Sequence, residues 1–326
     1  MAYDKTVFLP LDTHAAFELV TQPERLRRWK TVAARIDLQV GGDYRWTITP
    51  GHSAMGSVLE LEKGKRMIFS WGWEGSTDLP PGASTVTITL EPTTGGTNLR
   101  LVHDGLSAEQ EVGHGEGWNH YLDRLVAFVQ NGAVEADPWS YAPDPIDEIT
   151  SAEAALSIAE RTLYAITKED FSKPTPCAGM NVGQMVDHLF FSISNVARGL
   201  GIDISERQEL SPEERIANLA QSTLEALRQK PLDQVIDLGF TKLPAQIAAA
   251  LMSMEILVHG WDIATAIGAP FAPSAVLSNY VNRNAHLIIN DRVRQSGLFG
   301  PEIPTTDATE SLQKLLAFTG REPVSK

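Results

Sequence analysis

The chain has 326 residues, 43% of them hydrophobic and 21% charged, the composition of an ordinary globular protein with room for two domains. Its 27 basic side chains stand against 41 acidic ones, a net charge of −14, which argues against nucleic acid or an anionic membrane as the main partner. No apolar run reads as a membrane span, no charged-then-apolar leader opens the sequence, and the single cysteine, Cys177, has no internal partner. The expected setting is therefore a reducing cytoplasm.

The first third reads as mostly β. Thr6 to Leu9 is a short opening strand, and Asp12 starts a helix that runs to Val20. Pro23 to Trp29 reads as a second short helix with Arg25, Arg27 and Arg28 on its surface. Alternating segments follow at Arg35 to Val40, Asp43 to Ile48, Ala54 to Glu62, Arg66 to Trp73, Ser84 to Glu91 and Thr97 to His103. Gly41-Gly42, Pro50-Gly51, Lys63-Gly64, Pro80-Pro81-Gly82 and Gly95-Gly96 separate them, so the run predicts an antiparallel meander. A long helix from about Ser107 through Val129 closes it, with Trp118, Leu122, Leu125 and Val129 at helical spacing. This order of elements is that of a helix-grip fold.

Between Ala136 and Pro145 three prolines, Pro138, Pro143 and Pro145, read as a semi-rigid linker. Beyond it the pattern turns helical. The expected helices are Ser151 to Ile166 with Ser151 as N-cap, Val182 to Arg198, Pro212 to Arg228, Pro244 to Gly268, Pro273 to Arg294, and about Ala308 to Thr319. Glu206 to Glu214 reads as an exposed, charged lead-in to the third of these.

The chemistry concentrates on three residues. Glu255 and His259 sit four apart, which stacks a carboxylate and an imidazole on one helix face, and His188 lies in another helix. Two helices presenting His and Glu-x-x-x-His can hold a divalent metal with three protein ligands and an open position. The same spacing also occurs where histidines are ordinary core or surface residues. The flanks favour a site, because Ala248 to Met254 and Ile256 to Val258 are almost wholly apolar, and a carboxylate buried there needs a cation or a hydrogen-bond partner. Zinc is the default metal for such a set, with nickel, manganese or iron also suited. Asp262, one turn on, is placed to orient a ligand or cap the local structure, while Asp187 reads as a solvated helix residue. Cys177 precedes the His188 helix by about five residues; it reads as a packing residue rather than a reactive thiol. In the β-rich part Phe69, Trp71 and Trp73 share one strand face, opposite Trp118. They form either a filled core or the wall of a small-molecule cavity. His52, His103, His114 and His120 show no metal-like spacing. Glycine-rich nucleotide loops, Walker loops, nucleophile elbows and cysteine zinc frameworks are absent from the sequence. No catalytic residue is assigned.

Two resemblances extend this reading. Glu24-Arg25-Leu26-Arg27-Arg28-Trp29, Leu38 to Trp46, Phe69-Ser70-Trp71-Gly72-Trp73, Leu101 to Leu106 and Gly117-Trp118-Asn119-His120-Tyr121-Leu122 resemble the START-like (SRPBCC) superfamily, in the branch related to activators of the heat-shock ATPase chaperone. Pro174-Thr175-Pro176-Cys177-Ala178-Gly179-Met180-Asn181-Val182, leading to His188, and Glu255 to Asp262 resemble the DinB-like, mycothiol-dependent maleylpyruvate isomerase superfamily. The implied fold is an α+β helix-grip domain over 1–133, a proline-rich linker over 134–149 and an all-α, four-helix DinB-like bundle over 150–326. The second resemblance implies His188, Glu255 and His259 as metal ligands, and a low-molecular-weight thiol as co-substrate of an isomerase or S-transferase acting on a small electrophilic or apolar molecule. The alternative is a non-enzymatic ligand-binding or stress-response module with a START-like pocket, and branch resemblance alone adds a chaperone as partner. The sequence leaves the substrate and the oligomeric state open.

Overall fold

Seven strands of the computed structural model pair antiparallel in one sheet, in which the first strand lies beside the seventh and the others follow in reverse order to the second at the far edge. The structure describes residues 2–140, 143–205, 209–295 and 297–322. Tyr141 and Ala142 of the proline-rich stretch, and residues 206–208 of the acidic lead-in, lie outside them. The chain divides into two compact units, Met1–Ala136 and Asp137–Lys326.

In the first unit β1 (Tyr3–Leu9) pairs with the last strand, so the meander closes on its own beginning. Helices α1 (Thr13–Thr21) and α2 (Pro23–Leu26) follow, with the Asp12 carboxylate accepting from the amides of His14 and Ala15 as the N-cap. The remaining strands are β2 (Ala33–Ile36), β3 (Asp43–Thr49), β4 (His52–Glu62), β5 (Arg66–Trp71), β6 (Ser84–Thr93) and β7 (Gly96–Asp104). Helix α3 (Ala108–Asn131) starts at a reciprocal cap between Ser107 and Gln110 and packs on β1. The alternation of the sequence becomes a sheet with Trp46, Phe69, Val86, Ile88, Leu99 and Leu101 buried in one core with α1 and α3.

Two expectations change here. The strand expected over Arg35 to Val40 stops at Ile36, because Asp37 opens a turn in which an added Cβ on Gly42 would lie 2.1 Å from the Asp37 carbonyl oxygen. The second helix ends at Leu26 rather than Trp29, and Arg27 is buried instead of lying on its surface.

The second unit is helical: α4 (Glu148–Ala165), α5 (Val182–Gly199), α6 (Pro212–Arg228), α7 (Ala245–Ile267), α8 (Ala275–Ile288), α9 (Asp291–Gln295) and α10 (Ser311–Phe318). A hairpin of β8 (Val235–Asp237) and β9 (Lys242–Pro244), absent from the sequence reading, precedes α7. Helix α7 packs on α4, α5 and α8. Its close approach to α4 needs Gly260, where a Cβ would meet Phe271 at 3.0 Å and the Ala159 methyl at 3.2 Å. By length and composition α7 could cross a membrane, which the sequence reading overlooked, but 89% of its most apolar window is buried in the unit.

Ser151 is not the cap of α4. Asp147 takes that place, accepting from the amides of Ile149 and Thr150 while Thr150 Oγ1 accepts from the Asp147 amide, and Ser151 is buried inside the helix. The helix expected over Pro273 to Arg294 is two, broken after Ile288 where Asn290 Oδ1 accepts from the Val293 amide and starts α9. The last helix begins at Ser311, three residues later than expected.

Candidate metal centre

Asn181 caps α5 through a reciprocal bond with Gln184, and His188 emerges in the second turn with its side chain 34% exposed. Glu255 and His259 stand one turn apart on α7, buried to 10% and 8%. Glu255 Oε2 lies 3.1 Å from His188 Nε2 and 3.6 Å from His259 Nε2, and the two imidazoles meet edge to face with centroids 4.8 Å apart. One donor atom from each of the three lies within 4.8 Å of the others.

Behind His259 a second pair fixes its tautomer. Asp262 Oδ2 lies 2.9 Å from His259 Nδ1, and Arg321 Nη2 donates to the same oxygen at 3.0 Å. With Nδ1–H directed at a carboxylate, the ring would present its lone pair to a metal from Nε2, the nitrogen that faces Glu255, once the Nε2 proton is lost. Burial alone would raise the Glu255 carboxyl, yet the hydrogen bonds from His188 and His259 hold it far below the usual carboxylate range. Burial would likewise lower His259, but its bonds to Asp262 and Glu255 push it up to about 8. Asp262, fully buried, is kept low against its own desolvation by His259 and Arg321.

Two imidazole nitrogens and a carboxylate oxygen, converging with the outer nitrogen of one ring already taken, fit the donor set of a divalent ion. Asp262 occupies the orienting place that its spacing allowed. Asp187 points elsewhere and pairs with Arg215 at 3.0 Å. Arg321 escaped the sequence reading, since nothing local ties it to a residue 59 positions earlier. Cys177 also lies closer than expected: its sulfur, His259 and Asp262 form a second close group. Burial pushes its thiol up, and Arg321 opposes this, so it is no activated nucleophile.

In the first unit the aromatic face is packed. Phe69 and Trp71 have centroids 6.4 Å apart, Trp71 and Trp73 5.5 Å, and Trp71 and Trp118 5.2 Å. The cavity beside them is about 10 Å³, room for one water, and of the four only Trp118 lines it. His103 and His114, set aside by spacing, have rings 5.0 Å apart. Their nitrogens are committed elsewhere. Trp118 Nε1–H donates to His103 Nδ1 at 3.0 Å and Trp73 Nε1–H to His114 Nε2 at 3.1 Å. An indole only donates, so His103 carries its proton on Nε2, facing Ser84 Oγ at 2.9 Å, and His114 donates from Nδ1 to the Gln110 carbonyl at 2.8 Å.

Burial, with smaller contributions from His114 and Lys30, pushes His103 down to about 3. The unfolded ring takes its proton near pH 6.5, so stability is full above that pH and is lost as the pH falls toward 3. Between pH 7 and 5 this ring is expected to cost the first unit about 2 kcal/mol. His103→Gln, which can still accept from Trp118, should flatten that slope in urea unfolding followed at several pH values. Parallel slopes in the two proteins would refute the assignment.

Residues 12–130 match the family model described as Activator of Hsp90 ATPase homolog 1-like protein, and residues 152–264 match that of the Mycothiol maleylpyruvate isomerase N-terminal domain. The chain thus belongs, through its first unit, to the activator of Hsp90 ATPase homolog 1-like family, with a helix-grip fold, while its helical second unit is similar to the DinB-like isomerase N-terminal domain. Among solved structures, an AHSA1-like protein from Rhizobium etli is 39% identical, the match covering 44% of this chain and 90% of that one with a TM-score of 0.37. CalU16 from Micromonospora echinospora is 28% identical, covering 40% and 77%, with a TM-score of 0.34. An Aha1 dimer from Colwellia psychrerythraea is 14% identical, covering 40% and 98%, with a TM-score of 0.37. No curated protein matches the chain.

Proposed function

We propose that His188, Glu255 and His259 hold a divalent metal, zinc by default, and that the second unit uses it with a low-molecular-weight thiol to isomerise or thiolate a small electrophilic molecule. The observation that carries this is the convergence of three donor atoms within 4.8 Å, one of them on a ring oriented from behind by Asp262. The match to the mycothiol maleylpyruvate isomerase N-terminal domain supports a thiol co-substrate and this reaction class. A bound divalent ion would contribute a Lewis acid that lowers the pKa of a thiol beside it.

The chain's own residues do the rest. Asp262 holds the His259 proton at Nδ1, and Arg321 balances the buried Asp262 charge. Glu255 supplies the negative charge that a cation needs in an apolar helix. His188, a third exposed while its partners are covered, marks the side from which thiol and electrophile arrive. With one cysteine and no internal disulfide possible, a reducing cytoplasm suits a thiol-dependent reaction. The test is to load the chain with zinc, add mycothiol and small electrophiles including maleylpyruvate, and follow conjugate or isomer by mass spectrometry and chromatography. Turnover that vanishes without either zinc or thiol is expected. No product with mycothiol, glutathione or another bacterial thiol would overturn the reading in favour of a ligand-binding module.

A further inference from the structure

Cys177, His259 and Asp262 offer a second set of donor atoms, a thiol sulfur, an imidazole nitrogen and a carboxylate oxygen, all within 4.8 Å of one another. His259 and Asp262 are buried on α7, and Asp262 Oδ2 lies 2.9 Å from His259 Nδ1. One ion about 2.1 Å from each would bridge that gap. Cys177 is half-buried in the turn before α5, where the Met180 amide donates to its carbonyl at 3.1 Å and the Thr175 amide donates to the Met180 carbonyl at 3.0 Å. The thiol is therefore the side from which an ion enters.

This set shares only His259 with the first, and takes the other side of the ring. Glu255 faces Nε2, whereas Asp262 faces Nδ1. The donor chemistry differs too, because a thiolate is soft and selects thiophilic ions. Arg321 is the competing charge, with Nη2 3.0 Å from Asp262 Oδ2 and Nε 3.4 Å from Oδ1. An ion that takes Oδ2 leaves Arg321 on Oδ1 and on the Thr319 carbonyl. Thiolate and carboxylate together neutralise a divalent ion, so the occupied set presents Arg321 with no net positive charge.

We propose that Cys177, His259 and Asp262 form a second metal site, for a thiophilic divalent ion such as cadmium, whose occupation disarms the first. Binding forms a metal–sulfur bond as the thiol proton leaves to water. An imidazole that gives Nδ1 to an ion keeps its proton on Nε2, where it points at Glu255 and no longer ligates. The two ions compete for one ring. That exclusion rests on the reading of His188, Glu255 and His259 as ligands; the second site does not.

The experiment follows alkylation of Cys177, the one cysteine of the chain, by iodoacetamide with and without cadmium, read by mass spectrometry of the full chain. Cadmium is expected to slow alkylation at least about tenfold, since the thiolate is both nucleophile and ligand. A thiolate-to-cadmium charge-transfer absorption should rise with it, which mere steric cover does not produce. His188→Ala, which lacks a ligand of the first set alone, should be protected as well as the parent, and Asp262→Asn should lose most of the protection. Zinc should raise the cadmium needed in the parent but not in His188→Ala. No protection of the parent, protection lost in His188→Ala, or parent-like protection in Asp262→Asn overturns the second site. If Asp262→Asn does not fold, the parent and His188→Ala decide. Failure of the first metal reading looks different: the parent takes up no zinc, while cadmium still protects Cys177.

Discussion

Zinc is expected to bind the His259→Ala protein at least about a hundredfold more weakly than the parent, which should take up one ion per chain in isothermal titration. Three ligands share a binding free energy that for zinc sites reaches about 10 kcal/mol, so removing one costs roughly 3 kcal/mol, or more than two decades. Glu255→Gln should weaken binding as severely. It keeps the shape of the side chain but removes the negative charge that offsets a cation in a helix where Met254, Ile256 and Leu257 are all buried. Circular dichroism should show both variants folded, because each substitution leaves the apolar contacts of α7 in place. Parent-like uptake by either variant, or no stoichiometric uptake by the parent, would end the metal reading.

Arg321→Met is expected to destabilise the second unit by about 3 kcal/mol. Asp262 is completely buried, and Arg321 meets both of its oxygens, at 3.0 Å and 3.4 Å, while Nη1 donates to the Thr319 carbonyl at 3.0 Å. Removing the guanidinium leaves a buried carboxylate still bonded to His259, which keeps the loss at the lower end of the range for broken buried pairs. Combining Arg321→Met with Asp262→Asn should recover much of that loss, because the uncompensated charge goes with it. Urea unfolding of the metal-free proteins as a double-mutant cycle measures the coupling directly. Strict additivity would show that the pair is incidental.

Much of this architecture is legible in short-range pattern. The turn glycines and alternating segments outline the meander, and the caps Asp12, Ser107, Asn181 and Ser211 place helix starts. Where two caps compete the pattern misleads: Ser151 looked adequate, yet Asp147 with Thr150 satisfies two amides and begins the helix a turn earlier. His188, Glu255 and His259 stand out because a carboxylate in an apolar helix demands a partner. Arg321 and Lys30 do not, since their surroundings are assembled from distant segments. Lys30 is adjacent to Trp29 in sequence, but Trp46, Trp71 and Trp118 reach it only once the sheet has formed and α3 has covered it. The β8–β9 hairpin was missed for a simpler reason: strands of three residues carry too little alternation to read.

The cage around Lys30 has an optical consequence. Four of the chain's seven tryptophans, Trp29, Trp46, Trp71 and Trp118, lie within 6.0 Å of one amine nitrogen. An ammonium quenches and shifts indole emission, whereas a neutral amine in its place leaves the rings in a different field. Intrinsic fluorescence therefore reports the protonation state of a single buried side chain, and the first unit needs no added dye to show it.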